Sequence, residues 1–480
     1  MKYALISVSD KRNILELAAK LSGYEIISTG GTAEALRKGG FAVTEVEDIT
    51  GFPECMDGRV KTLHPRVHGG LLAVRGNPKH QQTMQEHNIP AIDVLVVNLY
   101  PFRETKTLEN IDIGGVALLR AGAKNYEYVT VLCDPDDYAD FDKLDRRKLA
   151  AKAFRYTAAY DAHIARYFSE ETDEKFPETL TISFTKHSDM RYGENPQQAA
   201  AFYAEDFGEV LHGKALSFNN IADVHAAVSL VREFSDKPAC VAVKHATPCG
   251  AALADSPSEA YRAVYDCDPI SIFGGIVAYN REVDEAAALL MKETFLEVIA
   301  APSFSAEALK ILQKKRDLRL VVLPKDGKAE YEMKSVGTGL LIQETDNGSI
   351  EAEERRTVTK KAPSAQEMSD MVFGMKVVKH VKSNAIVVVK DGRLLGQGGG
   401  EVSRIWAAEA ALSRAGDAAK GAVAASDAMI PFPDVAEACA KAGISAIIQP
   451  GGSKNDPLVT ESCDALGMAM VISGTRHFKH

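Results

Sequence analysis

This 480-residue chain lacks any apolar run approaching the length of a membrane span, so no transmembrane helix is expected. It also lacks an excess of positive charge. The formal net charge is −10, which argues against broad binding to nucleic acid or to an anionic membrane. Any anionic ligand must then meet a local cluster of Lys and Arg. Cysteine is sparse: positions 55, 133, 240, 249, 267, 439 and 463 are scattered, odd in number and without repeating spacing. They read as reduced thiols of a cytoplasmic protein. The opening Met1–Ser7 turns polar at Ser9-Asp10-Lys11-Arg12, too short for a signal-peptide core, so no secretory leader is expected. There is no Walker A run and no GxGxxG, which removes the main support for nucleoside-triphosphate or dinucleotide binding. His64, His68 and His80 fit no zinc spacing. Pro248-Cys249 begins a zinc-deaminase signature, but Ala252 stands where the second cysteine belongs, so no metal site is expected. No internal sequence repeat and no low-complexity segment is evident.

What remains is the composition of a soluble globular enzyme, 46% hydrophobic and 25% charged. The length exceeds one hydrophobic core, so two or more domains are expected. Residues 3–8 read as a buried strand, Ser9 as a helix N-cap, and Ile14, Leu15, Leu17, Ala18 and Leu21 as a helix face. Strands at Glu25–Ser28, Phe41–Val46, Ile92–Asn98 and Tyr128–Cys133 alternate with helices, and a long helix follows over about 146–169. That alternation predicts an α/β fold with a doubly wound parallel sheet. The acidic, aperiodic stretch 170–189 marks a domain boundary, giving domains 1–185 and 186–480. The second again mixes strands (Ala239–Val243, Gly275–Ala278, Leu318–Leu323, Ala385–Lys390, Gly421–Ala425, Ala446–Gln449) with helices, including 404–413 after an N-cap at Ser403. Asp391-Gly392 is a hairpin signal. The charged stretch 324–365, with a turn signal at Asn347-Gly348, is a candidate join between two subdomains.

Thr29-Gly30-Gly31-Thr32 sits where a strand meets a helix N-terminus, whose free N–H groups can hold a phosphate. Lys11, Arg59, Lys61 and Arg66 in nearby loops of an acidic protein strengthen that reading. Asn98-Leu99-Tyr100-Pro101-Phe102 ends an apolar strand, the usual ligand position in an open α/β sheet. Asp112 precedes Gly114-Gly115 and a helix, and Lys124 follows that helix. Singly these suit capping and dipole compensation. Together with Lys61 they make a catalytic set of Lys, Tyr, Asp and Lys.

In the second half Lys244-His245 ends an apolar strand, and a His beside a Lys suits proton transfer. Asn384 precedes another strand, where its amide could polarise a carbonyl. Arg191 and Arg476 are phosphate candidates, because guanidinium forks match phosphate.

Long strings along the whole chain resemble a known family. They are Gly58-Arg59-Val60-Lys61-Thr62-Leu63-His64-Pro65, Ile111-Asp112-Ile113-Gly114-Gly115, Arg191-Tyr192-Gly193-Glu194-Asn195-Pro196, Asp268-Pro269-Ile270-Ser271-Ile272-Phe273-Gly274-Gly275 and Val377-Val378-Lys379-His380-Val381-Lys382-Ser383-Asn384-Ala385. The family is the bifunctional purine-biosynthesis proteins that are AICAR formyltransferase and IMP cyclohydrolase. The resemblance implies a methylglyoxal-synthase-like N-terminal domain that closes FAICAR to IMP. By similarity Lys61, Tyr100, Asp112 and Lys124 are catalytic there, and Ser9, Lys11, Thr29, Gly30, Gly31, Thr32, Arg59, Thr62, Asn98 and Gly114 bind substrate.

It further implies a pair of cytidine-deaminase-like α/β subdomains without zinc, which move a formyl group from 10-formyltetrahydrofolate to AICAR. Lys244, His245 and Asn384 would be catalytic. Arg191, Tyr192, Gly274, Glu297, Arg404, Met429 and Arg476 would contact substrate, and Ser453 and Lys454 would contact folate. The family implies a homodimer and leaves a monovalent-cation requirement open. Two departures stand out: Gln197 replaces a histidine, and Met429-Ile430 stands where two aromatics are common. Two competing readings follow, a regulatory binding protein that senses a phosphorylated ligand, and a cyclohydrolase carrying an inactive transferase domain.

Overall fold

A computed structural model describes residues 1–324, 330–348, 350 and 355–480. The chain forms two compact units, Met1–Phe184 and Thr185–His480. No helix among the described residues is long and apolar enough to cross a membrane.

The first unit is built on strands β1 (Lys2–Val8), β2 (Tyr24–Ser28), β3 (Thr44–Glu45), β4 (Ile92–Asn98) and β5 (Thr130–Leu132). Its helices are α1 (Ile14–Lys20), α2 (Gly30–Lys38), α3 (Val46–Thr50), α4 (Pro65–Leu72), α5 (Pro78–Glu86), α6 (Phe102–Thr105), α7 (Gly114–Lys124) and α8 (Arg146–Glu171). All pairings are parallel, in the order β3-β2-β1-β4-β5. Alternate residues of β1 feed opposite layers. Leu5 packs with Leu95, Val97, Leu118 and Leu119, whereas Ala4 and Ile6 pack with Leu17, Leu36 and Val96. Covering helices on both faces explain why these strands read as continuous apolar runs.

Two local expectations give way. Ser9 is not a helix cap: α1 starts at Ile14 behind Asn13, and the Ser9 and Asp10 N–H groups donate instead to Asn98 Oδ1 at 2.7 and 2.8 Å. The strand expected over Phe41–Val46 shrinks to Thr44–Glu45. Phe41 and Val43 pack into the core from irregular chain, and Val46 opens α3.

The second unit centres on one twelve-stranded sheet. Along it lie Arg356–Thr357, Ala469–Ile472, Ala446–Gln449, Val423–Ser426, Ile386–Lys390, Arg393–Gly398, Thr247–Leu253, Ala239–Lys244, Gly275–Tyr279, Leu296–Ala301, Arg319–Val322 and Glu209–His212. The sheet is a duplication about its middle, where Ala252 pairs with Arg393. Each half runs helix, two-strand hairpin, helix, antiparallel strand, then two helix–parallel strand steps, with a short antiparallel strand at the outer edge.

The duplication extends to single residues. The first helices, Phe218–Val231 and Ala365–Val378, both open with serine capping boxes, at Ser217 and Ser364. Lys244 and Lys390 end equivalent strands, and their ammoniums donate to Phe273 O and Lys420 O, both at 2.9 Å. Gly274 and Gly421 follow those carbonyls with φ +74 and +69. The sequence carries no visible repeat because apolar identities have drifted while the capping and turn positions persist. A separate hairpin, Tyr331–Val336 with Gly339–Glu344, turns at Gly337. At Asn347-Gly348, where a turn is expected, the Gly348 N–H donates to Asp346 Oδ1 at 3.2 Å; residues 349 and 351–354 beyond it lie outside the described residues.

Candidate functional site

In the first unit the ends of β1, β2 and β4 gather the polar positions. Thr29 is the N-cap of α2, and the Ser7 and Thr29 hydroxyls lie 3.3 Å apart. Thr32 turns inward, accepting from Val8 N–H and donating to Val8 O. Asn98 spends its amide on the Ser9-Asp10 loop, adding a 2.8 Å bond to Asp10 O. Lys61 reaches this corner. A Cβ placed on Gly30 would lie 3.6 Å from its Nζ, and one on Gly114 would lie 2.9 Å from Thr62 Oγ1. Lys61 and Thr62 are therefore wedged between the N-termini of α2 and α7, where partial positive charge and free N–H groups favour an anion. Glu54, which no sequence motif marks, holds the Lys61 ammonium at 2.9 Å. Lys11 is exposed, and Arg59 forms a surface pair with Glu109.

Asp112 accepts the Gly115 N–H at 2.6 Å, and its own N–H donates to Tyr160 Oη at 2.9 Å. Burial raises its carboxyl above the usual range, opposed by the N–H groups of Gly115 and Tyr100. The bond to its backbone brings Tyr100 beside Asp112. Lys124 stands at the far end of the helix that follows. It ends α7, ten residues beyond Gly114, which at 1.5 Å per residue is about 15 Å along the axis. Asp112 and Lys124 line the same outer cleft of about 910 Å³, with His68, Arg120 and Phe154.

In the second unit Lys244 and His245 lie at the tip of the first hairpin. They line a cleft of about 210 Å³ with Cys249, Asp268, Gln397 and Arg414. His245 and Ala246 form the two-residue turn between paired Lys244 and Thr247, with φ 53 and 56. Burial pushes the Cys249 thiol up to about 12, so it stays protonated. Gln397, in this cleft, ends near Glu401, whose carbonyl accepts from Asn384 Nδ2 at 2.9 Å. Asn384 thus lies at the same end of the sheet as His245. Arg404 donates to Asn384 Oδ1 at 2.7 Å and pairs with the fully buried Asp427. Its guanidinium is committed to orienting Asn384. The length of separation, 23 residues, hid Asp427 from sequence reading.

The remaining positions have partners of their own. Glu297 pairs with Arg319 at 2.7 Å. Arg191 stacks 4.8 Å from the Tyr192 ring centroid, and Arg476 4.4 Å from that of Phe478. Met429 is exposed, and Asn455 Nδ2 donates to Pro431 O at 2.9 Å, tying the Ser453-Lys454 loop to the Met429–Phe432 segment.

These sites can be set beside known proteins. The family model described as AICARFT/IMPCHase bienzyme matches residues 122–414, and an MGS-like domain matches residues 13–125. The bifunctional purine biosynthesis protein PurH of Thermoanaerobacter sp. (strain X514) is 52% identical over 507 aligned positions, covering 100% of both chains. The protein of the same name from Oceanobacillus iheyensis is 50% identical, again over 100% of both. The solved structure of ForH is 40% identical over 35% of this chain and 97% of its own, at a TM-score of 0.33, too low to bear on the fold. With a matching family model across more than half its length and full-length relatives at half identity, the chain belongs to the AICARFT/IMPCHase bienzyme family.

Proposed function

We propose that this protein carries out two consecutive reactions of purine synthesis. The second unit transfers a formyl group from 10-formyltetrahydrofolate to AICAR, and the first closes the product, FAICAR, to IMP. The observation that carries the reading is the Lys244-His245 turn facing a cleft, in a chain aligned end to end with bifunctional relatives. In the transfer, the exocyclic amine of AICAR attacks the formyl carbon. His245 accepts the amine proton, and Asn384, oriented by Arg404, polarises the formyl oxygen. The bond from carbon to the folate nitrogen then breaks, and that nitrogen is protonated. In the closure, the carboxamide nitrogen attacks the formyl carbon, and water leaves. Lys61, Tyr100 and Asp112 move protons and steady the oxyanion, while the helix ends at Gly30–Thr32 and Gly114 hold the ribotide phosphate.

Exposed Met429 and Phe432 beside Ser453 and Lys454 suit an aromatic folate with an acidic tail. With α7 running about 15 Å from Gly114 to Lys124, the proposal includes a homodimer in which a second copy supplies that lysine at the Lys61 corner. The scattered, unpaired thiols suit a cytoplasmic setting.

The test is an assay of purified protein with AICAR and 10-formyltetrahydrofolate, following tetrahydrofolate and IMP separately. Release of both is expected. IMP formed only from supplied FAICAR would remove the transferase half of the proposal.

A further inference from the structure

The turn that carries His245 is an unfavourable one. Two-residue hairpin turns with positive φ at both positions favour Asn-Gly or Asp-Gly. The equivalent turn of the second half follows this rule, with Asp391 at φ 54 and Gly392 at φ 65. The first half puts His and Ala in the same conformation, where a Cβ meets the backbone. A histidine in that conformation keeps its direction only if its surroundings hold the turn.

Thr247 Oγ1 donates to His245 O at 3.3 Å, and a second, shorter bond comes from the preceding helix. Asp223 Oδ1 accepts the Ala246 N–H at 2.7 Å. The duplication shows that this contact is part of the frame. Asp370, six residues beyond Ser364 as Asp223 is beyond Ser217, accepts the Gly392 N–H at 2.7 Å and the Asp391 N–H at 3.0 Å. The second turn thus has a favourable sequence and two bonds to its carboxylate. The first has an unfavourable sequence and one such bond.

Resting on the transferase reading above, we infer that Asp223 is a positioning residue for formyl transfer: it fixes the His245-Ala246 turn, and with it the direction of the imidazole. Asp223 touches no reacting atom. Its carboxylate grips the backbone one residue past the base, and Lys244 is fixed from the other side by Phe273 O.

The experiment compares Asp223→Ala, Asp223→Asn and Asp370→Ala in the full-length protein, measuring kcat and KM for formyl transfer and the rate of ring closure from supplied FAICAR. Asp223→Ala should lower the formyl-transfer kcat about 10–100-fold, the scale on which a misplaced group costs rate, with KM for AICAR nearly unchanged. Asp223→Asn keeps an acceptor of the same shape and should stay within about threefold of wild type. Asp370→Ala should leave formyl transfer near wild type, and ring closure should be unaffected in all three. The inference is overturned if Asp223→Ala keeps the wild-type kcat, if Asp223→Asn loses as much as Asp223→Ala, or if Asp370→Ala is as impaired as Asp223→Ala. Absence of formyl transfer in the wild type is a different result, which removes the transferase reading and the inference with it.

Discussion

At 245–246 the first hairpin of the C-terminal unit turns on His-Ala, and at 391–392 the second turns on Asp-Gly. Both turns are gripped by a carboxylate from the preceding helix, and both are preceded by a lysine whose ammonium meets a backbone carbonyl. The frame is the same, so the difference isolates what the first turn gives up. An L-residue in the left-handed region costs about 1–2 kcal/mol, and the second turn limits that cost by placing glycine at one of its two positions. The first accepts the cost to hold an imidazole at the end of a buried strand, facing a cleft. Strain of this kind gathers where a scaffold serves chemistry.

The largest expected effect breaks the comparison at the side chains. His245→Ala should lower formyl transfer by about 10²–10⁴-fold, the usual contribution of a general base, whereas Asp391→Ala should leave it near wild type. Equal losses would mean that both turns serve stability alone. A smaller effect breaks it at the backbone. Gly392→Ala should destabilise by about 1 kcal/mol, because the added Cβ finds only an ordinary 3.7 Å contact and the cost is conformational. Ala246→Gly should move stability the other way, by up to about 1 kcal/mol, less what a more flexible unfolded chain takes back. Denaturant unfolding of the two variants checks both signs.

The smallest effect on stability extends the idea to the N-terminal unit. Burial raises the Asp112 carboxyl, so its contribution to stability is present below the unfolded pKa and is lost as pH rises through the folded one. At neutral pH the ionised Asp112 is a cost, and Asp112→Asn should raise the melting temperature while abolishing ring closure. The gain should fade as the pH falls through the raised folded pKa and be gone below the ordinary carboxylate range. A melting difference independent of pH would contradict the assignment.

Much of the fold was legible because strands buried on both faces announce themselves. β1, β4 and the strand Ala239–Lys244 are near-continuous apolar runs, and Asp391-Gly392 turns between two paired strands with both residues at positive φ. Illegible features depended on distant partners. Ser9 has the chemistry of a cap, but Asn98, 89 residues away, takes its N–H. Phe41–Val46 has strand composition, yet only two residues find a neighbour to pair with. The duplication escaped because its surviving marks are paired serine caps, aspartates, lysines and glycines, residues too common to signal a repeat. In the candidate sites, the turn bearing Lys244-His245 could be placed from the strand that precedes it. Asp223 could not, since its partner is 23 residues away and the bond is to a backbone N–H, which leaves no trace in side-chain pattern. Arg404 is a similar case: guanidinium chemistry suggests a ligand, whereas the structure commits it to Asn384 and Asp427.

The most direct test of the account rewrites the first turn as a favourable one. The double variant His245→Asn/Ala246→Gly should unfold at higher denaturant than the wild type, lose formyl transfer, and close supplied FAICAR at the wild-type rate. Retained formyl transfer, or loss of transfer without any gain in stability, would contradict the claim that this turn exchanges stability for catalysis.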